Sequence, residues 1–276
     1  MKEFLKKILK AAGVYHPLQG FYRQQLFKTA HKKTRKEFEK YRGPGFQCNV
    51  CRASYKMFAP RFPSAEDKDA IDKNNVIAGY GENVFCPRCM STARERLVIA
   101  MLGKINITGK RILHFSPEEK VYHYLSEKTA IITADLKPGF YKKIDSKALK
   151  EDLTKLSFAD NSFDMVIANH VLEHIPDDRK AMKEICRVLK SPGTAILQVP
   201  FSTTVPATVE EPGINNPRKQ SELFGQKDHV RIYNRDEYIT RLREAGFYVE
   251  YIPHASLIDL YSFAIQPGEG FFQIRK

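Results

Sequence analysis

Residues 160–193, DNSFDMVIANHVLEHIPDDRKAMKEICRVLKSPG, constrain the fold more than any other part of this chain. The stretch 163–168 is largely apolar and of strand length, and Pro176 with Asp177 and Asp178 opens a helix whose apolar residues return at helical spacing. A strand of this kind passing into a helix is the repeating unit of an α/β sheet covered by helices. Ligands of such open sheets bind beyond the carboxyl ends of the strands. In this chain Asn169, His170, Glu173 and His174 hold that position.

The alternation extends on both sides of this unit. Residues 92–105 read as a helix with Leu97, Val98, Met101 and Leu102 on one side. A strand at 111–115, a helix near 117–128, a strand at 130–134 and a short strand near 144–149 lead to the strand at 163–168. After the helix at 177–190 come a strand at 194–200, a helix at 235–245 and a strand at 247–252, with 262–265 and 270–274 available for a closing hairpin strand. The pattern predicts a mostly parallel sheet with helices on both faces. The segment 201–227, with Pro206, Pro212 and Pro217, is too long for an ordinary connection and is expected to form part of a pocket.

A formal charge of +13 suggests an anionic partner, but the charge is unevenly spread. Residues 1–45 carry 12 Lys and Arg against 3 Glu, a net +9 that leaves +4 for the remainder. Within this basic arm, Phe4, Leu5, Ile8, Leu9 and Ala12 share a helical face that ends near His16-Pro17, and residues 21–41 can form a second helix. The arm can be a solvated face packed on the domain, a peripheral contact with an anionic membrane, or an RNA-binding surface. No apolar run approaches the roughly 20 residues that span a bilayer, and lysines interrupt the N-terminal apolar residues. The expected location is the cytoplasm, with the inner membrane face as the place a peripheral arm would dock.

Two C-x2-C pairs, Cys48/Cys51 and Cys86/Cys89, are separated by 34 residues. Two such turns converge four thiolates into the tetrahedral set that zinc prefers, and a closed four-cysteine shell leaves no position for water. The expected metal is therefore structural zinc. A disulfide pair is disfavoured by a reducing compartment, and a redox C-x-x-C normally stands alone at a helix start. The intervening 63–75 is expected to be a loop, and Cys186 a small buried side chain. The chain thus divides into a basic helical arm over 1–45, a zinc-binding module over 46–91 and an α/β domain over 92–276.

The FDMVIANHVLEH stretch, the helix after it and LKSPG resemble the region after the fourth strand of class I S-adenosylmethionine-dependent methyltransferases. The resemblance covers about residues 92–276 and implies a Rossmann-like methyltransferase sheet, mostly parallel with its final strand antiparallel. The family's glycine-rich loop after the first strand is missing, since this chain reads ILHFSPEEK there. Ser116, Pro117 and Glu119 form a capping-box pattern whose helix start can still face the cofactor's carboxylate, while Glu118 can meet its ammonium. Asp135 stands 19 residues after Ser116, where an acidic side chain accepts from ribose hydroxyls. The resemblance implies a cofactor site built from His114, Ser116, Glu118, Asp135, Leu136, Asp152, Leu153, Asn169 and His170, with Asp152 and the Leu153 amide reading adenine.

For a hydroxyl acceptor the protein must position two reactants and remove a proton, a task suited to histidine near neutral pH. His229, in FGQKDHVRIY, is the first candidate base and His170 the second. The cysteine knuckles, ILHFSPEE and FGQKDHVRIY together resemble bacterial methyltransferases associated with surface-polysaccharide modification. They imply O-methylation of a sugar or glycan-related small acceptor. An RNA methyltransferase that grips phosphates with knuckles and arm is the first alternative, and an inactive binding protein on a degenerate fold the second.

Overall fold

A computed structural model describes residues 15–276; the expected amphipathic helix within 1–14 lies outside the described residues, as do the side chains of 15–24 and Phe27. The first described helix, α1 (Tyr15–Phe38), includes His16 and Pro17 and so covers residues before the expected 21–41. His31 Nε2 lies 2.9 Å from the Arg88 carbonyl, tying this basic helix to the second cysteine turn.

Strands β1 (Arg42–Gln47) and β2 (Ser54–Tyr55) pair antiparallel, as do β3 (Ala59–Arg61) and β4 (Gly81–Phe85). Between the latter two, the expected loop over 63–75 is instead helix α2 (Ala65–Lys73). Ser64 caps it by accepting from the Asp67 amide at 3.2 Å, a signal present in the sequence as Ser-Ala-Glu-Asp. Helix α3 (Ala93–Leu102) begins at a true capping box, with Thr92 Oγ1 accepting from the Glu95 amide at 3.2 Å and Glu95 Oε2 from the Thr92 amide at 2.8 Å.

The α/β core follows as β5 (Arg111–Phe115), α4 (Glu119–Ser126), β6 (Ala130–Asp135), β7 (Leu149–Lys150), β8 (Phe163–Ile167), α5 (Asp178–Val188) and β9 (Leu189–Ile196). The insertion then adds β10 (Phe201–Ser202), β11 (Val209–Glu210) and α6 (Pro217–Phe224). The chain ends with β12 (Arg231–Asn234), α7 (Arg235–Glu244), β13 (Tyr248–Ile252) and β14 (Phe271–Arg275). Seven strands form one sheet in the order β13-β14-β9-β8-β5-β6-β7, with β14 antiparallel to both neighbours and β5 to β9 parallel. Among the described residues no helix is long and apolar enough to cross a membrane.

Period-two alternation fills both faces of the sheet. Leu113, Val166 and Ala168 face Met182, Ile185 and Leu242 on one side, while Ile112, Met165 and Ile167 face Leu97, Leu102, Val121 and Leu125 on the other. Cys186 is buried on the first side, as expected.

Three strand expectations are corrected. Asp145 turns the chain where 144–149 was expected to be extended, accepting from Thr133 Oγ1 at 2.8 Å and from the Lys147 amide at 2.9 Å, so β7 is only two residues long. The strand expected at 194–200 stops at Ile196, because the Gln198 side chain replaces backbone pairing with Phe272. Residues 262–265 make no strand: 258–263 is a 3-10 helix, and the Phe263 and Ala264 carbonyls are committed to a side chain.

That side chain is Arg96, with no solvent exposure. Its guanidinium donates to the carbonyls of Phe263 (2.6 Å), Ala264 (2.7 Å), Asn83 (2.9 Å), Val84 (3.2 Å) and Ser91 (2.5 Å), and lies 4.8 Å from the Phe58 ring centroid. A buried charge is tolerated only when its donors are met, and removing it strands the acceptors that met it. Arg96→Ala should destabilise the protein by about 3–5 kcal/mol in chemical denaturation. Arg96→Lys should recover less than half of the loss, since one ammonium lacks the five-donor fork.

Candidate active site and metal centre

The four cysteines gather at the base of the module. Their Sγ atoms all lie within 4.8 Å of one another, and Cys48–Cys89 and Cys51–Cys86 are each 3.7 Å apart. A disulfide needs about 2.05 Å, whereas a tetrahedron with metal–sulfur bonds of about 2.3 Å has edges of about 3.8 Å. The set therefore has the spacing of a metal centre, and none of its members is oxidised.

Both turns are built alike. In each, the first cysteine's carbonyl accepts from the residue four positions on (Arg52 and Met90, both 2.8 Å), and its amide donates to the carbonyl five positions on (Ala53, 2.9 Å; Ser91, 3.0 Å). Arg52 and Met90 consequently take φ of 62° and 58°, a left-handed conformation that normally favours glycine. Ser91 Oγ, 3.2 Å from Cys48 Sγ and 3.3 Å from Cys89 Sγ, connects the cluster to the buried Arg96.

At the carboxyl ends of β5, β6 and β8 a second constellation forms. Ser116 is not the expected cap of α4: it turns left-handed at φ 50°, and its hydroxyl donates to Asp135 Oδ2 at 2.5 Å. Glu118 is the residue before the helix and makes no side-chain cap. Its amide donates to His114 Nε2 at 3.4 Å, and the Lys120 amide donates to Glu95 Oε1 at 3.3 Å, so two helix-start donors are already engaged. Burial holds His114 near pKa 3, and an accepting Nε2 puts its proton on Nδ1, which is buried and unpaired.

The Glu118 carboxylate accepts from Asn169 Nδ2 at 2.8 Å and lies 3.4 Å from Arg94 Nε. Burial raises its pKa to about 7, opposed by Arg94 and the Asn169 hydrogen bond. Asp135 also accepts from the Lys137 amide at 2.6 Å. Burial beside Asp135 and Glu118 pushes the Tyr141 hydroxyl up to about 12, placing Tyr141 at the same edge. Leu136 is exposed there, 52% accessible. Asp152 lies farther out, its Oδ1 held by the Thr154 amide and hydroxyl at 2.8 Å each, while Leu153 is buried in the main core.

A cleft of about 560 Å³, counting its open mouth, adjoins this edge. His170, Glu173, His174 and His229 form one side, and Arg61, Tyr80 and Arg94 line it from the metal module and α3. His170 takes φ 53° and donates its amide to the Gln198 carbonyl at 2.7 Å, which turns the side chain inward. Its Nδ1 is 3.5 Å from Glu173 Oε1 and its Nε2, otherwise unpaired, is 4.0 Å from Glu269 Oε1. Burial lowers His170 and His229 to about 4, so both imidazoles are neutral at pH 7. Burial alone would raise Glu173, but the neighbouring His170, His174 and His229 bring it down to about 2, whereas burial lifts Glu269 to about 7.

His229 reaches this side through a buried charge network. Arg231 donates to the Leu172 and Pro176 carbonyls at 2.9 and 2.8 Å, and Arg241 bridges Asp178 (2.9 Å) and Glu210 (2.8 Å). The Val230 amide donates to the Glu173 carbonyl at 3.0 Å, leaving the His229 and His174 rings edge to face at 4.7 Å. Sequence reasoning missed Arg61, Tyr80, Arg94, Tyr141 and Glu269. None belongs to a spaced motif, and even Arg94, on the helix read from periodicity, is brought to the site only by packing.

Five buried polar atoms without partners, His114 Nδ1, Asn169 Oδ1, His170 Nε2, Glu173 Oε2 and Glu269 Oε2, collect in this one region. Such atoms cost free energy unless water or a ligand completes them, and two of the five, on His170 and Glu173, belong to residues that line the cleft.

Residues 119–197 match a family model described as a methyltransferase domain. The demethylmenaquinone methyltransferase of Corynebacterium glutamicum (strain R) is 31% identical over 157 residues, 50% of this chain and 64% of that protein. That of Renibacterium salmoninarum is 39% identical over 115 residues, 39% of this chain and 47% of the relative. A solved S-adenosylmethionine-dependent methyltransferase from Mesorhizobium loti overlays with TM-score 0.48 at 14% identity, covering 66% of this chain and 97% of that one. The chain spans less than two thirds of the length of these curated relatives. The matched residues run from α4 to the end of β9, within the parallel sheet that an antiparallel β14 closes, so this part of the α/β domain is similar to a methyltransferase domain.

Proposed function

We propose that this protein transfers a methyl group from S-adenosylmethionine to a hydroxyl of a small acceptor, of which a sugar or other glycan-related molecule is the reading that best suits a polar cleft. The observation that carries the proposal is the convergence of five orphaned buried polar atoms at the ends of β5 and β8 and in the loop before β14. The residues fit the cofactor: Glu118 offers a carboxylate to an ammonium, Arg94 a cation to a carboxylate, and Asp135 an acceptor to ribose hydroxyls, with Tyr141 along the same edge. When bound, the cofactor supplies an electrophilic methyl group on a sulfonium. Asp152, Leu153 and Leu136 are proposed for its adenine side.

His170 is favoured over His229 as the base. With Nδ1–H directed to ionised Glu173, its Nε2 keeps a lone pair for the acceptor hydroxyl proton. His229, neutral beside it, then orients the acceptor. A quinone acceptor, as the relatives' names suggest, is the second reading; three arginines and three histidines around the cleft favour a hydroxylated polar molecule. The proposed metal is zinc, held by Cys48, Cys51, Cys86 and Cys89 as a folding element. Membrane docking by the arm would rest mainly on residues outside those described.

Isothermal titration with S-adenosylhomocysteine tests the cofactor reading, and Asp135→Ala should weaken binding about 10-fold or more, in line with loss of charge-assisted hydrogen bonds. Affinity should rise between pH 6 and pH 8, because the Glu118 carboxyl, raised to about 7, gains its charge over that interval. Glu118→Gln should flatten this dependence. The sign for folding is opposite: a carboxyl raised in the folded state makes the unliganded protein most stable below the unfolded value, and that stability declines as pH rises through about 7.

Labelled cofactor incubated with nucleotide- or lipid-linked sugars should give methylated sugar, and labelling of RNA alone would reject this acceptor class. His170→Gln should lower kcat about 10²- to 10⁴-fold with homocysteine-product binding within a few-fold of the parent, whereas His229→Gln should act mainly on KM. Metal analysis should return one zinc per chain, and Cys86→Ser or strong chelation should unfold the module, read as lost circular dichroism and a lowered melting temperature.

A further inference from the structure

The anchor for the acceptor is visible on the side of the cleft that the metal module supplies. Arg61, at the end of β3, is partly buried and lines the cleft with Tyr80, whose ring centroid is 4.7 Å from its guanidinium carbon. Its backbone pairs with Gly81 but its side chain forms no hydrogen bond or ion pair with another described residue, although every other arginine lining the cleft does: Arg94 meets Glu118, and Arg231 meets Glu210 at 2.9 Å and two carbonyls. The acidic groups in reach are committed elsewhere, Glu173 to His170 and Glu118 to Arg94 and Asn169. Arg94 adds a second positive charge on the same side, and burial together with Arg94 pushes the Arg61 guanidinium below its ordinary value.

A partly buried guanidinium whose donors are not taken by the protein matches a planar or tetrahedral oxyanion in the cleft. Tyr80 holds the guanidinium from one face, leaving its edge for hydrogen bonding, and the Tyr80 carbonyl is itself fixed by Gln266 Nε2 at 2.7 Å. The His170–Glu173 pair and His229 line the same cleft, so an anion on Arg61 would bring a nearby hydroxyl toward the proposed base. We propose that Arg61 is the acceptor-binding residue for an anionic group, a carboxylate or a phosphate, and that the metal module acts as the specificity wall of the enzyme. This proposal rests on the methyltransferase reading of the cleft, which supplies the hydroxyl-directed chemistry opposite Arg61.

The probes are glucose 1-phosphate, glucuronate and glucose, titrated by calorimetry into the full chain saturated with S-adenosylhomocysteine. Glucose 1-phosphate or glucuronate should bind at least 10-fold more tightly than glucose, and which of the two binds tighter distinguishes phosphate from carboxylate. Arg61→Ala should remove that preference while leaving homocysteine-product affinity unchanged, and Arg61→Lys should restore part of it. Unchanged homocysteine-product binding with circular dichroism like the parent's separates a lost anion contact from a lost fold. Equal binding of glucose and the two anions, or an anion preference that survives in Arg61→Ala, would overturn the proposal. A fall in homocysteine-product affinity in Arg61→Ala would do so too, by assigning Arg61 to the cofactor. Failure of the parent to bind the homocysteine product at all would instead sink the methyltransferase reading itself.

Discussion

Arg96 is the interaction on which the rest of the arrangement depends. Its guanidinium meets five backbone carbonyls and no carboxylate, so its charge is balanced by dipoles and by the thiol cluster behind Ser91 rather than by a salt bridge. The carbonyls come from β4, from the second cysteine turn and from the 263–264 segment, and the Arg96 carbonyl receives Asn49 Nδ2 from the first turn. One side chain of α3 thus joins the metal centre, the module hairpin and the C-terminal part of the chain. Because α3 also carries Arg94 and Glu95, the same helix delivers a cation to Glu118 and a carboxylate to the start of α4. The four-cysteine cluster and the Glu118 edge are therefore mechanically joined through α3.

The cleft itself is governed by desolvation. Removing water drives His114, His170 and His229 toward neutrality and lifts Glu118 and Glu269 toward pH 7, while the hydrogen bond from His170 helps to hold Glu173 below the ordinary carboxylate range. Groups with opposed shifts within one small space are the arrangement expected of acid–base chemistry. Unpaired buried atoms at the strand ends can be completed by a ligand, while both faces of the sheet are conventionally packed.

Much of the sheet was legible because its strands obey local rules. The strand at 111–115 and the helix at 178–188 follow from apolar run length and helical spacing, and the two C-x2-C turns carry their own ligand geometry. Legibility failed where side chains overrode backbone preference. Asp145 broke a strand, Gln198 replaced one, and Arg96 captured the carbonyls of another. Ser116 was read as a cap from a spacing that does fit a capping box, yet the hydroxyl bonds Asp135 because β5 and β6 place the two residues side by side. Ser64 was overlooked as a cap inside a charged stretch taken for a loop.

The sequence by itself determined the alternating sheet, the four-thiol set and the polar residues at the end of β8, since each is written in short-range periodicity or spacing. Only the tertiary structure decided that Glu118 meets Arg94 and Asn169, that His170 leans on Glu173, and that Arg61 from the metal module stands opposite them without a partner. The contact between Asn169 and Glu118 joins residues 51 positions apart. Such contacts are set by burial and packing between elements, which leave no periodic trace in the chain.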